Sequence, residues 1–225
     1  MKKTRVLVVV VLAVVIVLKG QLVFAQEKRF AVGVRAAYNS YEGGDIELFL
    51  PSHADYDIAL GISAGVTYFF SKSFSLELDV GRQETTMKVE EFDVFFGLDT
   101  VSDYGELTQI PVLLTGRYHF APSDKTTVYV GLGIGYYIHD MKNADGDGDF
   151  FDGAPPGVNA FADDGFGYHV NTGMECFLSP SVALNIDLKY VMLDVDIGFK
   201  GAGYHVKDNT NLNAFVTGFG IKYYF

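Results

Sequence analysis

The chain has 225 residues, about half of them apolar and 15% aromatic, with 17 basic and 28 acidic residues and a formal net charge of −11. An anion of this kind has no electrostatic footprint for nucleic acid, a single cysteine excludes a disulfide framework or a cysteine-rich zinc site, and so many aromatics exclude a disordered acidic tail. High glycine together with high aromatic content points to strands rather than helices.

The N-terminus opens on Lys2, Lys3 and Arg5, followed by an unbroken apolar run from Val6 to Leu18 and then Val23-Phe24-Ala25. A positive segment, a short apolar segment and a small residue before a cut describe a secretory signal. The run is short for a bilayer crossing. Residues 1–25 are therefore expected to be a cleaved signal peptide, and residues 26–225 a single domain. After Ala25 no apolar run approaches helix-spanning length. A membrane protein without such runs has to be a closed barrel, because lipid offers nothing to unpaired backbone groups.

In chain order, apolar residues then alternate with small or polar ones in eight segments. They run Phe30 to Asn39, Ile58 to Phe70, Phe74 to Gly81, Ile110 to Phe120, Val128 to Tyr137, Phe166 to Leu178, Val182 to Tyr190 and Phe215 to Phe225. The clearest carries Val128, Val130, Leu132, Ile134 and Tyr136 on one face and Tyr129, Gly131, Gly133, Gly135 and Tyr137 on the other. Strict alternation means a strand with two different environments. Connections alternate as well. Ser71–Ser73, Ala121–Lys125 and Ser179–Ser181 are short, whereas Ser40–Tyr56, Val89–Tyr104, Asp140–Asp164 and Val195–Asn211 read as long loops. Short turns on one side and long loops on the other are the build of an outer-membrane barrel. The fold expected is all-β: an eight-stranded antiparallel, up-and-down transmembrane barrel in the outer membrane of a Gram-negative-type bacterium. An even strand number puts both termini in the periplasm. A soluble sandwich or lipocalin-like barrel would turn the bulky face inward. The many glycines of the small face, and the Tyr and Phe ending the apolar rows, argue for the membrane version.

Several stretches carry a family resemblance. The C-terminal strand, with Phe219, Ile221, Tyr223 and Phe225 at alternate positions, resembles the terminal strand that the outer-membrane assembly machinery reads. Ile110-Pro111-Val112-Leu113-Leu114 to Phe120, Val128 to Tyr136, Gly165-Phe166-Gly167-Tyr168 leading to Leu178-Ser179-Pro180, and Leu188 to Asp196 resemble the OmpW-type family of eight-stranded outer-membrane barrels. The likeness is good from Thr108 to Phe225 and only generic from Phe30 to Met87. It implies a narrow barrel with an apolar upper lumen that passes or binds small hydrophobic molecules. The chain lacks the tryptophans such barrels often place at rims and in the lumen.

With the small face inward, the lumen receives Arg35, Glu77, Asp79, Arg117, Glu175, Asp187, Lys189 and Lys222, with His119 and His169 beside them. An eight-stranded interior is just wide enough for side chains, and ions there must pair. Arg117 with Glu77 or Asp79, and Lys189 with Glu175, are the expected pairs; together the eight charges form a neutralising plug. Pro111 lies inside a strand that a closed barrel must pair on both sides. Lacking an N–H, it marks either a bulge or a weak place in the wall where a solute leaves sideways. Acidic residues crowd the long loops. Asn143 to Asp149 imitates the start of a calcium loop, but its twelfth position is Ala154 where a bidentate Glu is needed, so no metal is expected. None of the five histidines sits in a catalytic grouping, so neither an enzyme nor a cofactor is expected. Two functions follow: a narrow channel or binding barrel for small hydrophobic solutes in outer-membrane lipid, or a structural, surface-interaction barrel with acidic loops and a plugged lumen.

Overall fold

The computed structural model describes residues 29–42, 44–46, 52–93, 98–123, 125–143, 159–201 and 203–225. The expected signal peptide and the heart of the calcium-like loop lie outside them. The described strands are β1 (Phe30–Tyr41), β2 (Gly44–Ile46), β3 (Ser52–Tyr56), β4 (Ala59–Phe69), β5 (Phe74–Asp93), β6 (Leu98–Ser123), β7 (Thr126–Asn143), β8 (Asn159–Ala162), β9 (Gly165–Ser179), β10 (Val182–Gly201), β11 (Tyr204–Asn211) and β12 (Ala214–Tyr224). Eight of these close on themselves in the order β4-β1-β12-β10-β9-β7-β6-β5, with β5 pairing back to β4, and every pairing is antiparallel. This is a closed eight-stranded barrel. The remaining four strands are short additions on the long-loop side: β3 lies beside the far end of β5, β2 beside β3, and β8 and β11 beside the far end of β10.

Closure leaves no sheet edge, which is what a wall in hydrocarbon requires. The two faces divide as the alternation dictates. Val34, Ile62, Leu132, Ile134, Val170, Leu188 and Ile221 all stand exposed on the outside. Near the short turns that outer row ends in Phe70, Phe74, Tyr118, Phe120, Tyr223 and Phe225, several of them in edge-on ring contact. Near the long loops it ends in Tyr136 with Phe166 and Tyr190 with Phe215. An apolar band between two aromatic girdles is the outer face of a membrane barrel.

Two of the segments expected as long loops are largely strand. Val89–Tyr104 is an extended β5–β6 hairpin, and Val195–Asn211 is mostly a β10–β11 hairpin. The periodic signal is weak there for a physical reason. Beyond the bilayer the outer face meets water, so residues such as Asp194 and Asp196 replace the apolar outer row.

Candidate functional site

All ten inward-facing ionisable residues expected in the lumen are buried: Arg35, Glu77, Asp79, Arg117, His119, His169, Glu175, Asp187, Lys189 and Lys222. Their strands turn these positions inward at adjacent levels. Glycines opposite them make the room. A Cβ on Gly173 would lie 2.3 Å from Tyr129 Oη, and one on Gly133 would lie 2.6 Å from His169, so larger residues would displace the network.

Glu77 is its centre. Arg117 donates to both carboxylate oxygens at 2.5 and 2.6 Å, Arg35 Nη2 at 2.7 Å, Lys222 Nζ at 2.7 Å and Thr67 Oγ1 at 2.8 Å. Arg35 also pairs with Asp79, and Lys222 lies 2.9 Å from Glu175, which accepts from Tyr224 as well. Asp187 accepts from Tyr129 at 2.6 Å and Asn171 at 2.7 Å, with Arg117 3.5 Å away. The Arg117 guanidinium sits 4.5 Å from the Tyr129 ring centroid. His119 bonds Ser75 at 2.7 Å and His169 bonds Thr115 at 2.8 Å. The result is an ion-paired floor across the bore. Charges so deep hold only with partners, and all of these but Lys189 have an ion-pair contact.

Glu77 with Arg117 is one of the pairs the sequence suggests. Lys189 with Glu175 is not formed. Glu175 faces Asn185 on β10, while Lys189 faces Asn171, four residues further along β9. Lys222, arriving from β12, takes Glu175 instead. Pairing across a barrel depends on stagger, which no single strand reveals.

Above the floor the inward face turns apolar. On β10 the inward row passes from Asn185, Asp187 and Lys189 to Val191, Leu193, Val195 and Ile197, all buried. With Leu107, Leu113, Tyr137 and Leu212 these form an apolar cluster filling the upper lumen. The sequence carries this signal as a reversal of the apolar face at Lys189–Val191, where the alternation expected of the strand stops at Tyr190. Between floor and cap lies a cavity of about 50 Å³, lined by Asn39, Tyr41, Gln83, Gln109, Leu113, Tyr137, Lys189 and Leu212, among others.

Pro111 lines this cavity too. It faces Tyr137 on β7, but the β5–β6 ladder is interrupted at its level. Val80 pairs with Val112 and Gln83 with Gln109, and Gly81 and Arg82 between them have no partner across. The register is the same on both sides, so no residue is inserted and the site is a gap in pairing rather than a bulge. Outside, a groove of about 750 Å³ runs over Val34, Ala36, Ile62, Ala64, Val80, Phe219 and Ile221. Groove and interior cavity share Ile62, Ser63, Gly81 and Arg82. The wall at Gly81 and Pro111 is thus unladdered, and its outer side carries the groove together with the exposed Arg82, paired with Glu84. Sequence reading found Pro111 by its missing N–H but had no signal for Gly81 as its counterpart.

Beyond the outer girdle, His139 closes the top of β7. Its Nδ1 bonds the Asp163 carbonyl at 2.8 Å and its Nε2 meets Gln109 at 2.8 Å, while Asp164 accepts from the His139 amide at 3.0 Å and from Tyr136 at 3.2 Å. Burial pushes this imidazole below its ordinary range. Among the described residues no three His, Cys, Asp or Glu side chains gather to hold a metal ion.

The model of the OmpW family matches residues 23–225. Outer membrane protein AlkL of Ectopseudomonas oleovorans is 22% identical over 196 residues, covering 84% of this chain and 77% of AlkL. The solid-state NMR structure of AlkL in DMPC bilayers superposes with a TM-score of 0.61 at 20% identity, over 91% of this chain and 93% of that one. The NMR solution structure of the E. coli outer membrane protein W gives a TM-score of 0.51 at 20% identity, over 90% of this chain and all of that one. At such identities the structural likeness concerns the fold.

Proposed function

We propose that this chain, which belongs to the OmpW family and is an outer-membrane barrel, carries small hydrophobic solutes inward from the cell surface and releases them sideways into the membrane. A solute enters the apolar cap around Val191, Leu193 and Leu212 by displacing side chains. It cannot continue straight down, because the floor of Glu77, Arg35, Arg117 and Lys222 would have to be broken to admit it. The gap at Gly81 and Pro111 is the remaining way out, and Gly81 and Arg82 on its β5 side also line the groove on the lipid-facing surface. The observation carrying this reading is that the β5–β6 ladder is unmade at Gly81 and Arg82, two residues that line both the interior cavity and the outer groove.

The same reading takes residues 1–25 as a signal peptide removed on export, both termini as periplasmic, and the strand ending in Phe225 as the element engaged by the assembly machinery. A barrel with purely structural or surface-contact duties is the second reading. The filled lumen, with a cavity of only about 50 Å³, favours it.

The test uses liposomes with lipopolysaccharide in the outer leaflet and the apolar dye N-phenylnaphthylamine, whose fluorescence rises on entering acyl chains. The folded barrel should accelerate dye entry. Pro111→Val, which restores the missing donor, and Gly81→Val, which fills the gap, should return entry towards the protein-free rate. Unchanged entry in both variants, with the barrel folded, would remove the gap from the path. No acceleration by the native chain would favour the second reading.

A further inference from the structure

Lys189 stands where the ion-paired floor meets the apolar cap. It is 7% exposed and its side chain lines the interior cavity. Among the described residues no carboxylate oxygen lies within 4.0 Å of its ammonium, and none accepts a hydrogen bond from it. Its nearest acid along the strand, Asp187, is engaged by Tyr129 and Asn171. Asp79, the carboxylate lining the same cavity, is taken by Arg35 and Ser63. The Tyr137 hydroxyl, also buried against the cavity, has no partner either. Asn39 Oδ1 is the one unpartnered side-chain acceptor there among the described residues. The Lys189 ammonium and the Tyr137 hydroxyl therefore face this space with no carboxylate bonded to either among the described residues. Asp187 attracts this ammonium only from beyond 4.0 Å, whereas the other three lumen cations each touch a carboxylate, so Lys189 is the one left without a direct counter-ion among the described residues. Leu113, Val191 and Leu212 of the apolar cluster line the same cavity. The cavity of about 50 Å³ has room for a head group little larger than a water, not for a chain.

We propose that Lys189 binds the carboxylate of a small aliphatic carboxylic acid, with the Tyr137 hydroxyl as second donor and the aliphatic tail among the cap residues or in the Gly81–Pro111 gap. The inference rests on the solute path above and names a solute class for it: amphiphilic anions with a single unbranched tail. The tail supplies apolar contact, and the head supplies the anion this cation lacks.

The experiment uses the folded barrel in phospholipid nanodiscs, titrated with decanoate, decanol and acetate, with heats corrected against empty nanodiscs. Decanoate should bind at least tenfold more tightly than decanol. Lys189→Met should bring decanoate down to the decanol level and leave decanol unchanged, and Lys189→Arg should keep most of the preference. Should Lys189→Met fail to fold, the native chain still decides. A magnetisation-transfer contact between 13C-carboxyl decanoate and a lysine 15Nζ, lost in Lys189→Arg, is the expected signature. Equal affinities for decanoate and decanol, or a preference that survives Lys189→Met, would overturn the proposal. Acetate binding as tightly as decanoate would overturn it too, leaving a site for free small anions. Decanoate bound with no detectable decanol would support Lys189 while removing the neutral-solute reading, so the two failures are distinguishable.

Discussion

Leu132→Arg places a charge on the outer wall. Leu132 is 73% exposed and is the middle member of the outward row Val128, Val130, Leu132, Ile134 and Tyr136 on β7. With a rise of about 3.3 Å per residue and a strand tilt of about 40°, it stands about 10 Å along the membrane normal from each end of that row. That is the middle of an apolar band about 25 Å tall, where an arginine costs about 2–4 kcal/mol. The same exposure in water would make the substitution nearly neutral, within about 0.5 kcal/mol. Asp194→Arg, on an exposed outward position of β10 beyond the band, is the control. Equilibrium folding into lipid vesicles against guanidinium, followed by gel mobility and tyrosine fluorescence, reads both. A Leu132→Arg loss no larger than the control would refute the placement of this face in lipid.

Glu77→Gln removes the charge that three cations share and should cost about 3–5 kcal/mol in the same titration. Gly173→Val sets a Cβ 2.3 Å from Tyr129 Oη and 2.4 Å from the Ile186 carbonyl, so it should destabilise by about 1–3 kcal/mol, measured likewise. Burial holds the folded-state pKa of His139 below its ordinary 6.5, so its contribution is present above about pH 6.5 and is lost as pH falls through the folded value. Amide protection factors, corrected for the intrinsic pH dependence of exchange, should accordingly fall at the outer ends of β7 and β9 on acidification from pH 7, and His139→Gln should flatten that dependence.

The spanning half of the barrel is legible because lipid outside and a crowded lumen inside impose opposite demands on neighbouring residues. Val128 to Tyr137 shows it in ten positions. The upper half reads poorly because the demand reverses. Past Lys189 the apolar residues Val191, Leu193, Val195 and Ile197 point inward and Asp194 and Asp196 outward, so a reader expecting one apolar face sees a strand end. The short strands β8 and β11 exist only as partners of that extension and carry little pattern of their own. In the lumen, residue types and facing were readable, but partners were not. Lys222 reaches Glu77 and Glu175 from a strand far away in sequence, and that choice is made by barrel stagger.

The lateral path is tested most directly by locking the wall. By the register that holds on both sides of the gap Arg82 stands opposite Ile110, so Arg82→Cys with Ile110→Cys, in a chain whose free Cys176 is replaced by Ser, sets two thiols across the gap while leaving Gly81 and Pro111 native. Dye entry into lipopolysaccharide-coated liposomes is then followed in the oxidised and reduced states of one preparation. The account predicts that entry falls to the protein-free rate when the bridge forms and returns on reduction. Entry that proceeds at the same rate with the bridge closed would contradict it.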